Sequence, residues 1–190
     1  MKLKIYLLTT LAAVIALFAA FTASAQNSNL TISKTGVGPV KLGMETSKLP
    51  KTVEGLYSKL ERKVEEDMYD ETVYFLASLN GKKSLTIYEY DGKVWSIEVY
   101  NPACKTAGGR SVNSTAANLL TSGARALEDN NGFEGLVIDG VLFYGYPMTK
   151  TGTKKVEDSY LYGNQNYVAS DFVANGKASG IRINEYISNY

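Results

Sequence analysis

The sequence contains no histidine, and only one cysteine and one tryptophan occur among its 190 residues. The lack of histidine excludes Ser-His-Asp and Cys-His catalysis, histidine-ligated metals and the usual proton shuttle at neutral pH. No serine lies in an S-x-x-K or G-x-S-x-G context, so the common histidine-free serine nucleophile and the esterase elbow are also missing. Gly36-Val37-Gly38 lacks the third glycine of a dinucleotide-binding fingerprint. The sequence therefore predicts neither an enzyme nor a cofactor.

A long apolar run is absent everywhere except at the start of the chain. Residues 1–4 form a short basic region with two lysines, residues 5–21 form an apolar run, and Ala23-Ser24-Ala25 has the small-x-small form that signal peptidase reads. We predict a signal peptide at residues 1–25 and a periplasmic or secreted protein. The alternative is a retained membrane anchor, but the run is short for a spanning helix of about 20 residues. No cysteine lies at the cleavage site, which excludes a bacterial lipid anchor.

Excess charge of either sign is also lacking. Without Lys2 and Lys4 of the leader, the 20 basic side chains fall to 18, against 19 acidic ones. Such a balance predicts neither nucleic acid nor an acidic membrane surface as a partner, and no membrane span remains after cleavage. In an oxidising compartment, the single Cys104 either is buried as a small hydrophobic residue or forms a disulfide between two chains.

The chain does contain an internal echo. Residues 34–49 and 105–120, which we call the first and second echo segments, both pass from a glycine-containing extended stretch to Ser, Thr or Asn in a helix-capping position, and then to a short apolar run. A turn followed by lysine also recurs, at Asp91-Gly92-Lys93 and Asn175-Gly176-Lys177. These patterns predict an α+β fold of two tandem repeats, residues 26–103 and 104–190, each a short helix packed on an antiparallel β-sheet.

The first of these turns predicts which side chains share a face. With Asp91-Gly92 as a two-residue loop, Tyr88 opposes Trp95 and Thr86 opposes Ile97. The predicted core face then comprises Thr86, Tyr88, Tyr90, Trp95, Ile97 and Val99. With Asn175-Gly176 as the second loop, the same arithmetic brings together Val168, Phe172, Ile181 and Ile183.

Local signals predict several further elements. Asn80-Gly81 and Asp139-Gly140 are hairpin turns between strand-forming runs. Pro50 is expected to end the first short helix. Residues 51–66 show both helical and alternating spacing, and we favour a turn at Glu54-Gly55 followed by a strand. Residues 148–158, rich in Thr, Lys and Gly, are predicted to be a loop inserted in the second repeat.

Four tyrosines are the candidate ligand-binding residues: Tyr144, Tyr146, Tyr160 and Tyr162. Each pair has the i, i+2 spacing that puts two rings on one face of a strand, where they could stack on a ligand. The alternative is that the same rings pack within the sheet.

Two acidic stretches, residues 65–71 and 129–132, lack the spacing of a calcium-binding loop. We interpret the first as a solvent-facing run and the second as a turn, and we predict no metal site.

The first echo segment and the hairpin after it resemble a known family. The stretch Gly36-Val37-Gly38-Pro39-Val40-Lys41-Leu42-Gly43-Met44, the pattern Asp91-Gly92-Lys93-Val94-Trp95-Ser96-Ile97 and the echo at residues 106–120 are similar to the small α+β repeat of the β-lactamase-inhibitor-protein and outer-membrane assembly lipoprotein group. They are also similar to periplasmic domains built as two such repeats. The disulfides of the inhibitor and the cysteine of the lipoproteins are absent here.

The resemblance implies a role in protein interaction or in the cell envelope, and it carries over no catalytic residue. The predicted function is therefore a non-enzymatic exported module that binds an envelope or secreted protein partner. The alternative is a module that binds a glycan or a small molecule through a tyrosine-rich surface.

Overall fold

The computed structural model describes residues 30–67, 70–129, 132–162 and 165–190, without the side chains of residues 160–162. The predicted signal peptide, the leader up to residue 29 and the centre of the turn predicted at residues 129–132 lie outside these residues. In the part of the chain that is described, no helix is both long enough and apolar enough to cross a membrane.

Twelve strands and four short α-helices form the described fold. The strands are β1 (Thr31–Ser33), β2 (Gly36–Val37), β3 (Val40–Lys41), β4 (Lys59–Glu66), β5 (Glu71–Leu79), β6 (Lys82–Tyr90), β7 (Lys93–Val99), β8 (Lys105–Thr106), β9 (Arg125–Asp129), β10 (Gly132–Ile138), β11 (Val141–Tyr144) and β12 (Gly180–Asn184). The helices are α1 (Leu49–Thr52), α2 (Ala116–Thr121), α3 (Lys150–Tyr162) and α4 (Glu185–Ser188), with 3-10 turns at Thr46–Lys48 and Ala169–Asp171.

The strands form one small and one large sheet. The small sheet has the order β3-β2-β1-β8, with β1 and β8 parallel. The large sheet has the order β4-β5-β6-β7-β12-β11-β10-β9, and all of its neighbouring strands are antiparallel. The fold is therefore α+β and dominated by antiparallel sheet, and strands from both predicted repeats join at the β7–β12 pair.

Three two-residue turns set the hairpins of the large sheet. Asn80, Asp91 and Asp139 have φ values of 52°, 50° and 56°, and the glycine after each also has a positive φ. Two successive positive φ values define the type I′ turn, whose twist matches that of the strands it joins. All three turns were predicted from the sequence, and each is confirmed.

One side of the large sheet faces the main core. A single apolar cluster fills this core and combines residues of the small sheet, the helices and the large sheet. Its members from the large sheet include Phe75, Ala77, Leu85, Ile87, Ile97, Val99, Leu136, Val141, Phe143, Ile181 and Ile183. The other side carries a smaller cluster of Leu127, Val137, Leu142 and Ile187, with Tyr144 packed against it. Helix α4, which supplies Ile187, thus covers the β9–β12 half of that side.

The predicted register of the β6–β7 hairpin is wrong by one residue. A bulge at the turn end of the hairpin pairs Tyr88 with Ser96 and Thr86 with Glu98. The core face therefore carries Leu85, Ile87, Ile97 and Val99, while Tyr90 and Trp95 are exposed. A slip of one residue exchanges the two faces of a strand, which is why the assignment of Thr86, Tyr88 and Tyr90 to the core face fails.

The predicted hairpin around Asn175-Gly176 is also wrong. Asn175 has a positive φ, as a turn residue, but the residues before it form the 3-10 turn Ala169–Asp171 rather than a strand. The strand after it, β12, pairs instead with β11 and β7. Within the second half, β12 therefore pairs with β11, which precedes residues 148–158, and not with the residues directly before the Asn175-Gly176 turn.

Two further predictions need correction. The segment predicted as a loop at residues 148–158 belongs largely to α3, because its apolar side packs on β10 and on the 3-10 turn after it. Pro50 does not end a helix but lies in the first turn of α1, where its missing N–H leaves no helical hydrogen bond unmade.

Other local predictions hold. Gly55, with φ of 73°, makes a turn and the strand β4 follows it. The second echo segment begins a helix as expected: the Thr115 side chain accepts a hydrogen bond from Asn118 N, at 3.3 Å, at the start of α2. Cys104 is fully buried in the main core, which excludes an intermolecular disulfide in this fold.

Candidate functional site

The four predicted site tyrosines do not form one surface. Tyr144 is half-buried on the side of the large sheet that α4 partly covers. β11 ends there, Gly145 takes a φ of 71°, and Tyr146 is buried in the main core with its hydroxyl donating to Ser114 O at 3.0 Å. Tyr160 and Tyr162 belong to α3, so the strand spacing on which their pairing rested does not apply; their side chains lie outside the described residues.

A different group of aromatic residues collects on the side of the sheet opposite the main core. We call it the tyrosine face; it comprises Tyr74, Tyr88, Tyr100 and Tyr144 together with Glu98 and Arg182. The rings of Tyr74 and Tyr88 lie 5.9 Å apart on neighbouring strands. Lys83 Nζ lies 4.0 Å above the ring of Tyr100. All four tyrosines are half-buried, so each ring is supported by the sheet and still reaches solvent.

Glu98 is the centre of this face. Its Oε1 accepts hydrogen bonds from Arg182 Nε at 3.2 Å and from Nη2 at 3.1 Å. Its other carboxylate oxygen accepts from the hydroxyls of Tyr88, at 3.4 Å, and of Tyr100. Arg182 also donates to Glu134 Oε1 at 2.6 Å and lies 5.0 Å from the Tyr144 ring. The network joins β7 to β12 with a planar guanidinium between two carboxylates.

Three groups of the tyrosine face have raised pKa values. Burial, and then the negative charge of Glu98, raise the pKa of Tyr88 to about 12. Burial and the hydrogen bond to Tyr100 raise the pKa of Tyr144. Burial lowers the pKa of Arg182, but its attraction to Glu98 outweighs that and the net pKa is raised. These groups therefore stay protonated and act as fixed donors and a fixed charge.

A cleft of about 320 Å³ lies at the end of the sheet, next to the Asp91-Gly92 turn. We call it the aromatic cleft; its lining comprises Gly43, Tyr90, Asp91, Lys93, Val94, Trp95, Asn184, Glu185 and Tyr186. Three of these rings are unusually accessible, with Tyr90 at 76%, Trp95 at 51% and Tyr186 at 63% of full exposure. Tyr90 lies two residues after Tyr88 on the same strand, so the cleft continues the tyrosine face to the sheet end.

The bulge in β7 is what opens this cleft. Val94 turns inward and is 1% exposed, because its backbone N–H donates to Met44 O at 2.8 Å and its carbonyl accepts from Gly43 N at 2.7 Å. Trp95 is the extra residue and is left facing solvent. Asn184 caps α4 by accepting from Ile187 N at 2.8 Å, which fixes the orientation of its carboxamide beside the cleft.

Sequence reasoning missed the role of Trp95, although a signal was present. Val94 and Trp95 are adjacent large apolar residues directly after a two-residue turn. Only one of two neighbours in an uninterrupted strand can face the core, so the pair required either an exposed ring or a bulge. The tyrosines of the tyrosine face alternate with buried aliphatic residues, as in any half-buried strand, so no separate signal in the sequence indicated that they form a surface.

The acidic stretch considered for calcium is solvent-facing, as interpreted. Glu65, Glu66, Asp67, Asp70 and Glu71 are exposed around the β4–β5 connection. Within the described parts of the chain, no group of three or more acidic or thiol side chains could hold a metal ion.

Comparison with known proteins identifies the fold alone. No protein-family model matches the chain, and no curated protein sequence matches it. The solved structure of the uncharacterized protein yfeY from Escherichia coli is similar, with a TM-score of 0.52 over 82% of this chain and 99% of that one. The two chains are 15% identical, so the similarity supports a shared architecture and carries no function.

Proposed function

We propose that this chain is a non-enzymatic, exported protein-interaction module of the bacterial cell envelope, located in the periplasm or secreted. The leader at residues 1–25 supports export, and the lack of histidine and of nucleophile motifs supports a non-catalytic role. The tyrosine face is the observation that carries the proposal. Tyrosine and arginine are enriched at protein interfaces because they bring large, rigid contact areas with polar edges.

The geometry of the face suits a flat partner surface. Its side chains belong to five neighbouring strands, β5, β6, β7, β12 and β11, and are held in place by one another before any partner arrives. Preorganised side chains lose little conformational entropy on binding, which raises affinity for a given contact area. Tyr74 lies on β5, the outermost of these strands on one side, and Lys83 is exposed beside Tyr100, so these are the residues to vary.

We further propose that residues 26–103 and 104–190 are tandem repeats of the type found in the β-lactamase-inhibitor-protein and outer-membrane assembly lipoprotein group. The strand order supports this proposal: β4 to β7 meet β12 to β9 in reverse order about the central pair. A short strand and a helix precede the four sheet strands in each half. In an experimental structure, the backbone of residues 30–99 should superpose on that of residues 105–144 and 180–184, with the segment between β11 and β12 left out. A failure to superpose would reject the duplication.

Capture from an envelope extract of the native host tests the interaction. The immobilised wild-type chain should retain a specific protein. The Tyr74→Ala and Lys83→Glu variants should each retain at least about fivefold less of that protein, as expected for the loss of a contact worth about 1 kcal/mol. Lys177→Glu, an exposed charge reversal away from the face, is the matched control and should retain it. Equal capture by all four chains, or no specific protein at all, would contradict the proposal.

A second candidate function is binding of a glycan or small molecule at a tyrosine-rich surface. The aromatic cleft favours it, since three accessible rings converge with polar groups in a concave site at the lower end of the volumes typical of ligand pockets.

A further inference from the structure

The aromatic cleft exposes rings that a sheet protein ordinarily covers. Trp95 is the only tryptophan of the chain, and it stands beside Tyr90 and Tyr186 with more than half of each side chain accessible. A group of exposed aromatic side chains in a cleft is typical of ligand-binding and interaction sites, because leaving such area in water forgoes the gain of burying it. Flat rings accept the apolar C–H face of a sugar as readily as another ring.

The rim of the cleft supplies hydrogen-bonding groups of both kinds. Asp91 and Glu185 offer acceptors, Lys93 offers donors, and Asn184 has its carboxamide oxygen engaged at the helix cap so that its nitrogen can donate. Within the part of the chain that the structure describes, the side chains of Asp91, Lys93 and Glu185 have no hydrogen-bond or ion-pair partner. They are therefore available to hydroxyl groups.

The net charge of the rim limits the ligand further. Two carboxylates and one ammonium leave a local charge of −1, which opposes phosphate, sulfate and uronic acid groups. A purely apolar ligand fits poorly, because it would desolvate the carboxylates at the rim without pairing them. The remaining class has apolar ring faces and many uncharged hydroxyls.

We propose that the aromatic cleft binds a neutral saccharide, with Trp95, Tyr90 and Tyr186 stacking on its rings and Asp91, Asn184 and Glu185 bonding its hydroxyls. This inference rests on the second candidate function and names its ligand class and its site. Tyr144 and Tyr146, the sequence-predicted tyrosines whose side chains are described, do not line this cleft.

The lone tryptophan makes the test direct, because every change in tryptophan emission of the full chain reports on this cleft. Maltotriose, cellotriose and tri-N-acetylchitotriose are titrated separately, with trigalacturonate as an anionic counterpart. At least one neutral trisaccharide should shift the emission saturably, with half-saturation at or below about 1 mM, and trigalacturonate should bind more weakly. Tyr90→Ala and Tyr186→Ala should each weaken binding about three- to tenfold, the loss expected for one aromatic contact.

The matched control is Tyr190→Ala, which removes a tyrosine that is 45% exposed but lies outside the cleft. It should change the affinity less than about twofold. Circular dichroism melts of the three variants verify that each remains folded. Loss of binding in the control to the same extent as in the cleft variants would overturn the assignment of the site.

A non-saccharide probe separates the two levels of the proposal. If the uncharged dye N-phenyl-1-naphthylamine binds, loses binding in Tyr186→Ala, and no neutral saccharide shifts the emission, the saccharide class is wrong while small-molecule binding stands. If neither the probe nor any saccharide perturbs Trp95, both the inference and the second candidate function fail at this cleft.

Discussion

At the scale of single residues, one inserted residue decides where the only tryptophan of the chain lies. An uninterrupted β6–β7 hairpin would pair Trp95 with Tyr88 and put its ring on the same face as Ile97. The bulge pairs Glu89 with Val94 instead and pairs Tyr88 with Ser96. The cause lies outside the hairpin, in the hydrogen bonds between Val94 and the segment at Gly43 and Met44. The aromatic cleft therefore exists because of a backbone contact made by the first echo segment.

Cys104 gives a prediction at the same scale. It is fully buried, and burial raises the pKa of its thiol to about 12. The thiolate is the reactive form, so we expect native protein at mildly alkaline pH to react with a disulfide reagent on the order of a hundredfold more slowly than unfolded protein. Absorbance of the released thiol measures the two rates. The same rate with and without denaturant, or a disulfide-linked dimer on a non-reducing gel, would contradict the buried position.

At the scale of elements, α3 forms in a segment with weak helical preference. Thr and Gly are frequent in its first turns, and only Lys154–Asp158 forms an i, i+4 ion pair along its described side chains. Tertiary contacts decide instead: the Thr149 hydroxyl accepts from Gly152 N at 3.3 Å, and Lys155 Nζ donates to the buried carboxylate of Asp171 at 2.7 Å. These contacts hold the helix against the 3-10 turn that follows it.

Gly152 is the point of closest approach in that packing. A Cβ built there would lie 2.1 Å from the Asp171 carbonyl oxygen, a backbone atom that cannot turn aside. Alanine favours a helix over glycine by about 1 kcal/mol, but overpacking against backbone typically costs about 1–3 kcal/mol. A backbone clash as close as 2.1 Å lies at the upper end of that cost, so we expect Gly152→Ala to lower the free energy of unfolding by about 2 kcal/mol, measured by urea denaturation. The exposed neighbour change Thr153→Ala should alter it by less than about 0.5 kcal/mol.

The Glu98–Arg182 pair links the central strands β7 and β12. Glu98 is 9% exposed at its side chain and Arg182 is 31% exposed, so the pair is largely shielded from water. We expect Arg182→Met to lower the free energy of unfolding by about 2–3 kcal/mol. That figure lies below the range for fully buried pairs, because Glu98 keeps its two tyrosine donors.

A double-mutant cycle checks this value by urea denaturation. Glu98→Met with Arg182→Met should cost less than the sum of the two single changes, because the double variant leaves neither member of the pair as a charge without its partner. Arg110→Met is the matched control: its partner Asp139 is 56% exposed, and the loss should stay below about 1 kcal/mol. Additive single effects would show that the pair contributes no coupling between the two strands.

At the scale of the whole molecule, the two predicted halves share one sheet. The first supplies β4 to β7 and the second supplies β9 to β12. The central pair is antiparallel from Ile181 opposite Val99 to Asn184 opposite Ser96. The main apolar cluster and the tyrosine face extend across this pair, so unfolding of one half would expose the core of the other. We therefore expect a single cooperative unfolding transition.

The tyrosines together predict an alkaline limit to that stability. Burial raises the pKa values of Tyr57, Tyr88, Tyr144, Tyr146 and Tyr167 above the ordinary 10.0. A raised folded pKa means that the unfolded chain releases these protons at lower pH than the folded one does. The stabilisation is therefore complete below about pH 10 and is lost as pH rises above it.

Melting temperature measured against pH tests this limit. We expect a plateau at neutral pH and a fall that begins near the ordinary pKa of tyrosine, with Tyr146→Phe showing a shallower fall because one titrating group is removed. The mutation also removes the hydrogen bond to Ser114 O, so its melting temperature at neutral pH should be lower. An equal slope in both chains would contradict the assignment of Tyr146 to the core.

The sequence by itself determined the features that depend on a few adjacent residues. The turns at Asn80, Asp91 and Asp139 could be predicted because Asn-Gly and Asp-Gly adopt two successive positive φ values at little cost. The cap at Thr115 and the turn at Gly55 followed from equally local chemistry. Such preferences act within four residues and need no partner elsewhere in the chain.

The tertiary structure alone decided the features that depend on distant contacts. The bulge beside Trp95 is held by Met44, some fifty residues earlier, and α3 is held by Asp171 after it. Tyr146 turns into the core because Gly145 ends the strand and a pocket formed by Phe172 and Ser114 receives the ring. Local preferences for these segments differ by about 1 kcal/mol or less, whereas burying one aromatic side chain contributes about 2–3 kcal/mol, so packing prevails over propensity.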